Sequence, residues 1–289
     1  MLRKFILALC VSLGTYGLEA QEENSIFKHR ERKGKAYIMW GYNWSTYTDS
    51  DIHFKGDGFD FTLHDVQAED RPSPFDASVY FDPGLLSIPQ WNVRFGYYIN
   101  DKQSISFGSD HMKYVMVKDV FVDITGTIDP VASVEYTGFY EDGAQVFIHH
   151  DPEKSFLNLE HTDGLNYLHF EFDHMETFWV SKNDEQSLSV VGGVGTGILY
   201  PRSNTKLFKR PSHYDEFKLA GYGLSSRIGL HFEFYRNFYI RADWKFGYMN
   251  MPDIDITGIS GEYAEQDFFF EERYIAFGGY IQICKPKEK

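Results

Sequence analysis

The sequence predicts an all-β fold: eight antiparallel strands closed into a barrel. Three observations carry that expectation. Long segments alternate between large apolar positions and polar or bare ones. The connections between them are alternately short and long. The chain of 289 residues holds 26 Phe, 20 Tyr and 25 Gly but only 10 Pro, a composition suited to pleated strands that need bulk on one face and room on the other.

Taken in order, the first element is a leader. Arg3 and Lys4 precede an apolar run from Phe5 to Leu13, and small or polar residues lead to Ala20. That is the layout of a secretory signal peptide, residues 1–20, cleaved after Ala20; the run is too short to span a bilayer. Cys10 leaves with it, so Cys284 alone remains and no intramolecular disulfide is expected. Removal of Arg3, Lys4 and Glu19 takes the formal charge from −14 to −15. Such acidity disfavours nucleic acid as a partner. Residues 21–35 are charged and read as a flexible lead-in.

The barrel is expected over 36–284. Ala36, Ile38, Trp40, Tyr42 and Trp44 alternate with Tyr37, Met39, Gly41, Asn43 and Ser45. Trp91 to Asn100 repeats the pattern, with Val93, Phe95 and Tyr97 against Arg94 and Gly96. Ser104 to Lys118 follows, its alternation blurring after Ser109, where a bulge is expected. Leu168, Phe170 and Phe172 oppose His169, Glu171 and Asp173; Leu188, Val190 and Val194 oppose Ser189, Gly193 and Gly195. Leu224 to Phe234 sets Ile228, Leu230 and Phe232 against Arg227, His231 and Glu233. The clearest strand runs from Phe238 to Tyr248, where Trp244 and Phe246 alternate with Arg241, Asp243 and Lys245. Ile275, Phe277, Ile281 and Ile283 close the set; a short tail, 285–289, follows. Successive side chains of a strand point to opposite faces, so each segment has one apolar and one polar face.

The eight segments are 36–48, 91–100, 103–118, 165–180, 186–200, 217–235, 238–250 and 271–284. Short turns fall at Asp101–Lys102, Ser181–Glu185 and Arg236–Asn237; long excursions fall at 49–90, 119–164, 201–216 and 251–270. An even count, with turns at one end and loops at the other, is the pattern of a transmembrane barrel with periplasmic turns and extracellular loops. No apolar stretch after Ala20 is long enough for a spanning helix, so a membrane protein with this sequence must be a barrel. The mean hydropathy of −0.39 suits strands that are half polar.

The polar face carries Arg94, His169, Glu171, Asp173, Arg227, His231, Glu233, Arg241, Asp243 and Lys245. An eight-stranded barrel is just wide enough to be filled by side chains. Charges there must pair and hydrogen-bond, and Gly193, Gly195, Gly197, Gly223 and Gly229 leave room for them. The expectation is a lumen plugged by a charge network. The soluble alternative, a lipocalin-like ligand-binding barrel, places the apolar face inside; it crowds many Trp, Phe and Tyr into a narrow interior and leaves the glycines outside to no purpose.

On this strand pattern, over roughly 36–284, the chain resembles the small outer-membrane β-barrel proteins of the OmpA-, OmpX- and OmpW-like class, most of all Bacteroidetes-type members. Phe54-Lys-Gly, Phe59-Asp-Phe-Thr-Leu, Asp110-His-Met-Lys-Tyr and Glu160-His-Thr-Asp-Gly-Leu-Asn-Tyr also look like that group. The resemblance implies the outer membrane of a Gram-negative bacterium, contact with membrane lipid and lipopolysaccharide, insertion by the barrel-assembly machinery, a monomer and no cofactor. It implies a terminal aromatic residue too. Here the last strand ends Ile283-Cys284, and Tyr280 stands nearest to that role.

Members of that class include lipid A-modifying acyl enzymes, whose acid–base groups lie near the outer rim, and the loop end of this chain holds groups of that kind. Asp110 and His111 are expected there high on the third strand, and Glu160 and His161 just before the fourth, at rims that an outside loop brings together. A histidine beside carboxylates can act as a base with its orienter, or bind a metal; Ser109 and Ser45 are candidate nucleophiles. The pattern favours the plainer reading, rim groups that bind loop backbone. The oxygen-rich Thr46–Asp51 and Lys55–Asp60 stretches lack calcium-loop spacing. Gly192-Gly-Val-Gly-Thr-Gly lies in a strand with no helix after it, unlike a nucleotide loop.

Overall fold

The computed structural model describes residues 26–74, 76, 78, 89–210 and 214–283. The expected signal peptide, the tail 285–289 and Cys284 lie outside the described residues. All sixteen elements are strands: β1 (Lys35–Tyr47), β2 (Ser50–Gly56), β3 (Phe59–Val66), β4 (Ala68–Glu69), β5 (Trp91–Tyr98), β6 (Gln103–Met116), β7 (Val120–Ile128), β8 (Gly138–Tyr140), β9 (Gln145–Ile148), β10 (Leu157–Val180), β11 (Ser187–Leu199), β12 (Arg202–Leu207), β13 (Tyr214–Phe217), β14 (Gly221–Phe234), β15 (Phe238–Asp255) and β16 (Tyr263–Gln282). They form one antiparallel sheet.

Eight of them pair in a closed circuit, β1–β5–β6–β10–β11–β14–β15–β16 and back to β1. The closing ladder is long, running from Lys35↔Gln282 to Tyr47↔Phe270. Each expected segment falls on one of these strands. The other eight strands arise from stretches expected to be loops. β2 and β3 form a hairpin whose first strand extends β16 at Ile52↔Gln266 to Lys55↔Tyr263. β3 then pairs β7, and β7 pairs β8 and β9. β12 pairs the start of β10, and β4 the end of β6. The expected long loop 251–270 is mostly strand, because β15 continues to Asp255 and β16 begins at Tyr263.

Polarity reverses along the circuit. Near the short turns the interior is charged and the outer face apolar: Phe170 is 68% exposed, Phe95 54% and Trp244 46%, while their neighbours Glu171, Arg94 and Lys245 are buried. Toward the other end the interior becomes apolar. Met112, Tyr114, Leu159, Leu165, Met249, Met251, Phe268 and Phe270 join Ile52, Phe54, Phe61 and Leu63 of the added hairpin in one buried cluster. Outside it the hairpin is polar, with Asp51, Lys55 and Asp60 exposed. We call this upper region the cap and the lower one the ring.

Between Thr177 and Trp179 the β10–β11 register shifts. A second shift falls between His161 and Leu165, where Gly164 has φ 129°, a conformation L side chains rarely adopt. The second marks where β10 passes from the ring into the cap.

Candidate functional site

The ring interior is the most concentrated set of ionisable groups in the described residues. It follows from strand phase. Arg241, Asp243 and Lys245 are alternate residues of β15, and His169, Glu171 and Asp173 of β10, so each trio shares the inward face. Bare positions on β11 and β14 accept the long side chains. A Cβ on Gly193 would run into the Asp173 carboxylate, and one on Gly229 into that of Asp243.

Arg227 is the hub. Its Nε donates to Glu171 Oε2 at 2.9 Å and its Nη1 to Asp243 Oδ1 at 2.6 Å, while Nη2 donates to Asp173. Arg94 Nη1 lies 2.7 Å from Glu171 Oε2. Lys245 pairs with Asp110 and stands 2.9 Å from Glu171 Oε1. Arg241 donates twice to Asp243, at 3.0 Å each. His169 Nε2 is 3.1 Å from Asp110 Oδ2. Asn92 Nδ2 reaches both Asp110 Oδ1, at 2.6 Å, and Glu272 Oε1, at 2.8 Å. Charges removed from water are costly unless paired and hydrogen-bonded, and here each carboxylate meets at least one cation.

A second knot lies at the short-turn end. Arg30 Nε donates to Glu233 Oε2 at 2.7 Å and Arg32 Nε to Oε1 at 2.6 Å. Tyr280 OH adds a bond to the same carboxylate at 3.1 Å, Ser187 Oγ one at 3.0 Å, and His231 Nε2 lies 2.7 Å from Tyr280 OH. Arg32 also reaches Thr177 and Ser189. The expected flexible lead-in is therefore corrected for residues 30 and 32: both are buried, held by charge-assisted bonds across the end of the ring.

All ten residues expected on the polar face lie buried in this interior. Sequence reasoning missed Arg30, Arg32, Asn92, Asp110 and Glu272. Glu272 follows from stepping back by two from Tyr274. Asp110 follows from Ser104, Ser106 and Gly108, whose phase holds one step past the point where alternation was read as blurred. With those two included, the acidic members are Asp110, Glu171, Asp173, Glu233, Asp243 and Glu272, against Arg94, Arg227, Arg241 and Lys245. Arg30 and Arg32 make up the difference.

The four candidate catalytic residues take separate partners. Asp110, expected at the loop end, instead belongs to the ring interior. His111 is stacked on Trp91, ring centroids 5.2 Å apart, and its Nδ1 lies 2.7 Å from Asn166 Oδ1, an amide rather than a carboxylate. Glu160 accepts from Arg71 at 2.8 Å and Asn204 at 3.2 Å. His161 is fully buried, with Nδ1 2.9 Å from Ser203 Oγ. Buried Ser45 and Ser109 are not among the bonded partners of these histidines. Asp60, in one of the oxygen-rich stretches, pairs with His53 at 2.7 Å and Lys55 at 3.4 Å. Tyr280 points inward, so the outward face at the end of β16 carries Ile281 rather than an aromatic ring.

No family model matches the chain, and no curated protein does. Solved structures give distant likenesses. The outer membrane protein AlkL, in lipid bilayers, shares 8% identity at a TM-score of 0.38, covering 93% of this chain and 100% of that one. OprG of Pseudomonas aeruginosa shares 10% at 0.37, covering 88% and 100%. Neisserial surface protein A shares 11% at 0.35, covering 86% and 99%.

Proposed function

We propose that this chain is an integral outer-membrane protein: an eight-stranded transmembrane barrel, plugged by its own side chains, that carries a folded cap outside the cell. Its role is structural or one of surface interaction, not conduction. The observation that carries this reading is the inverted ring, charged within and aromatic without. Water-soluble sheets bury their apolar face, whereas membrane barrels turn it to lipid, and this inversion speaks against the soluble ligand-binding alternative. An apolar groove of about 820 Å³ on the outer face, lined by Phe95, Ile105, Phe107, Phe170, Phe172 and Val194, suits contact with acyl chains. The short turns would be periplasmic, the cap would meet lipopolysaccharide and whatever lies beyond, and insertion would use the barrel-assembly machinery, as a monomer. An outer-leaflet acyl enzyme is the weaker reading, because His111, Glu160 and His161 have different partners.

Two measurements test this. Fractionation of expressing cells should place the mature protein in the outer membrane; recovery wholly in the periplasm would overturn the reading. Planar bilayers with the pure protein should stay electrically quiet, and steady large conductance would show an open lumen.

A further inference from the structure

We propose that Asp119, His149 and His150 form a binding site for one divalent transition-metal ion, of the class Zn²⁺ represents, at the outer edge of the cap. The site goes beyond the proposed function and does not depend on it.

The geometry follows from the β7–β9 ladder. Val120 faces Ile148, and the Asp119 amide donates to the Ile148 carbonyl at 2.6 Å. Residue 119 thus leaves the ladder opposite residues 149 and 150. Asp119 has φ 60°, a left-handed conformation that costs a non-glycine residue free energy. Its carboxylate accepts the His150 amide at 3.0 Å and lies 2.9 and 3.1 Å from His150 Nδ1. The His149 ring lies tilted by 31° beside that of His150, centroids 4.3 Å apart, and the His149 amide donates to Ser155 Oγ at 3.0 Å. One nitrogen of each ring and one carboxylate oxygen lie within 4.8 Å of one another.

Ligand atoms about 2.0–2.2 Å from a tetrahedral metal stand roughly 3.3 Å apart. Asp119 and His150 are near that spacing before any metal arrives, the His149 nitrogen lies within 4.8 Å of both, and rotation of the half-buried His149 ring and the exposed His150 ring can close the remainder. Two imidazoles and a carboxylate suit Zn²⁺, Ni²⁺ or Cu²⁺ rather than Ca²⁺ or Mg²⁺, which prefer all-oxygen sets. His149 Nδ1 accepts the Asp151 amide at 2.9 Å. Coordination by this ring gives up that hydrogen bond: through Nδ1 it uses the same lone pair, and through Nε2 it requires the tautomer whose proton has moved to Nδ1. The interior trio Asp110, His169 and Glu171 offers similar atoms, but the Lys245 ammonium already stands between its carboxylates. Asp119 has no lysine or arginine ion pair among the described residues.

Calorimetric titration of the full mature protein in detergent micelles, after dialysis against chelator, tests this with ZnCl₂ and CaCl₂ as probes. One equivalent of Zn²⁺ should bind, and Ca²⁺ should not. Asp119→Asn and His150→Ala should each weaken binding by at least about tenfold, whereas His64→Ala, on the β2–β3 hairpin, should leave it unchanged. Circular dichroism of each variant checks that the fold is intact. Asp119→Asn keeps the side chain's size, so it remains informative if a histidine variant misfolds. Absence of Zn²⁺ binding would overturn the site. So would an equivalent that binds undiminished to Asp119→Asn and to a His149→Ala/His150→Ala double variant.

Discussion

The ring and the cap are built from the same strands and obey opposite rules. β15 buries Arg241, Asp243 and Lys245 in its first half and Met249, Met251 and Ile254 in its second. β10 buries Asp173, Glu171 and His169 and then Leu165, Leu159 and Leu157. The backbone is continuous and the pairing antiparallel throughout, so the sheet does not set the polarity. What differs is the surroundings expected on the outer face: lipid around the ring, water around the cap. A strand has only two faces, and whichever medium one face meets dictates what the other can bury.

The largest expected contrast lies inside. Arg227→Ala leaves Glu171, Asp173 and Asp243 without their shared cation and should destabilise the ring by about 3–5 kcal/mol, read as a lower urea midpoint in micelles. A variant of unchanged stability would mean that the three carboxylates do not depend on it. In the cap the sensitive group is apolar. Leu63→Ala, at a fully buried site, should cost about 2–5 kcal/mol. It should expose the cap to protease while the ring stays resistant; simultaneous loss of both would show that the two regions are one cooperative unit.

The outer faces should differ in the reverse sense. Phe170→Arg places a charge on the outward ring face and should cost about 2–4 kcal/mol in a bilayer, whereas Thr62→Arg on the cap hairpin should cost almost nothing. Equal costs, measured by unfolding in lipid, would remove the distinction between the two media. The smallest effect concerns pH. Burial raises the Asp70 carboxyl, bonded by Gln90 and the Ser45 amide, to about 6 from 3.8. The folded cap then holds a proton that the unfolded chain has released between those values. The cost of the buried carboxylate is therefore present above pH 6 and relieved as pH falls toward 4. Hydrogen exchange at the Ser45 amide should slow between pH 7 and pH 5, after correction for intrinsic rates, and Asp70→Asn should abolish the change.

Much of the ring was legible because its signal is local. Period-two alternation persists over each strand, and the phase that puts Arg227 and Asp243 on one face needs no knowledge of partners. The cap was not legible in the same way. β3 contains the alternation Phe59, Phe61, Leu63 and pairs its hairpin neighbour β2, but its other partner is β7, some sixty residues on, at Thr62↔Thr125 and Leu63↔Ile124. Long spacing between ring strands reads as loop, and pairings such as β3 with β7, β12 with β10 and β4 with β6 join segments far apart in the chain, which nothing local specifies. Asp110 was assigned to the loop end for a related reason. At Met112 the inward face turns apolar while the other face, exposed at Ile105 and Phe107, becomes buried at His111, Lys113 and Val115, so the in–out alternation fades although the strand continues. Arg30 and Arg32 were read as solvated because their partner lies more than two hundred residues away.

That separation bears on the order of assembly. The two arginines precede β1 and are made before the strands, yet Glu233 belongs to β14, one of the last three of the circuit. Until β14 is seated Arg32 lacks its Glu233 partner and Arg30 keeps only Asp184, and until they arrive Glu233 sits at an unsealed end. The segment that holds Arg30 and Arg32 is thus a late fastening of the ring. A chain stalled before β14 is seated would leave the Arg30–Arg32 segment loosely held, exposing two arginines that finished copies bury.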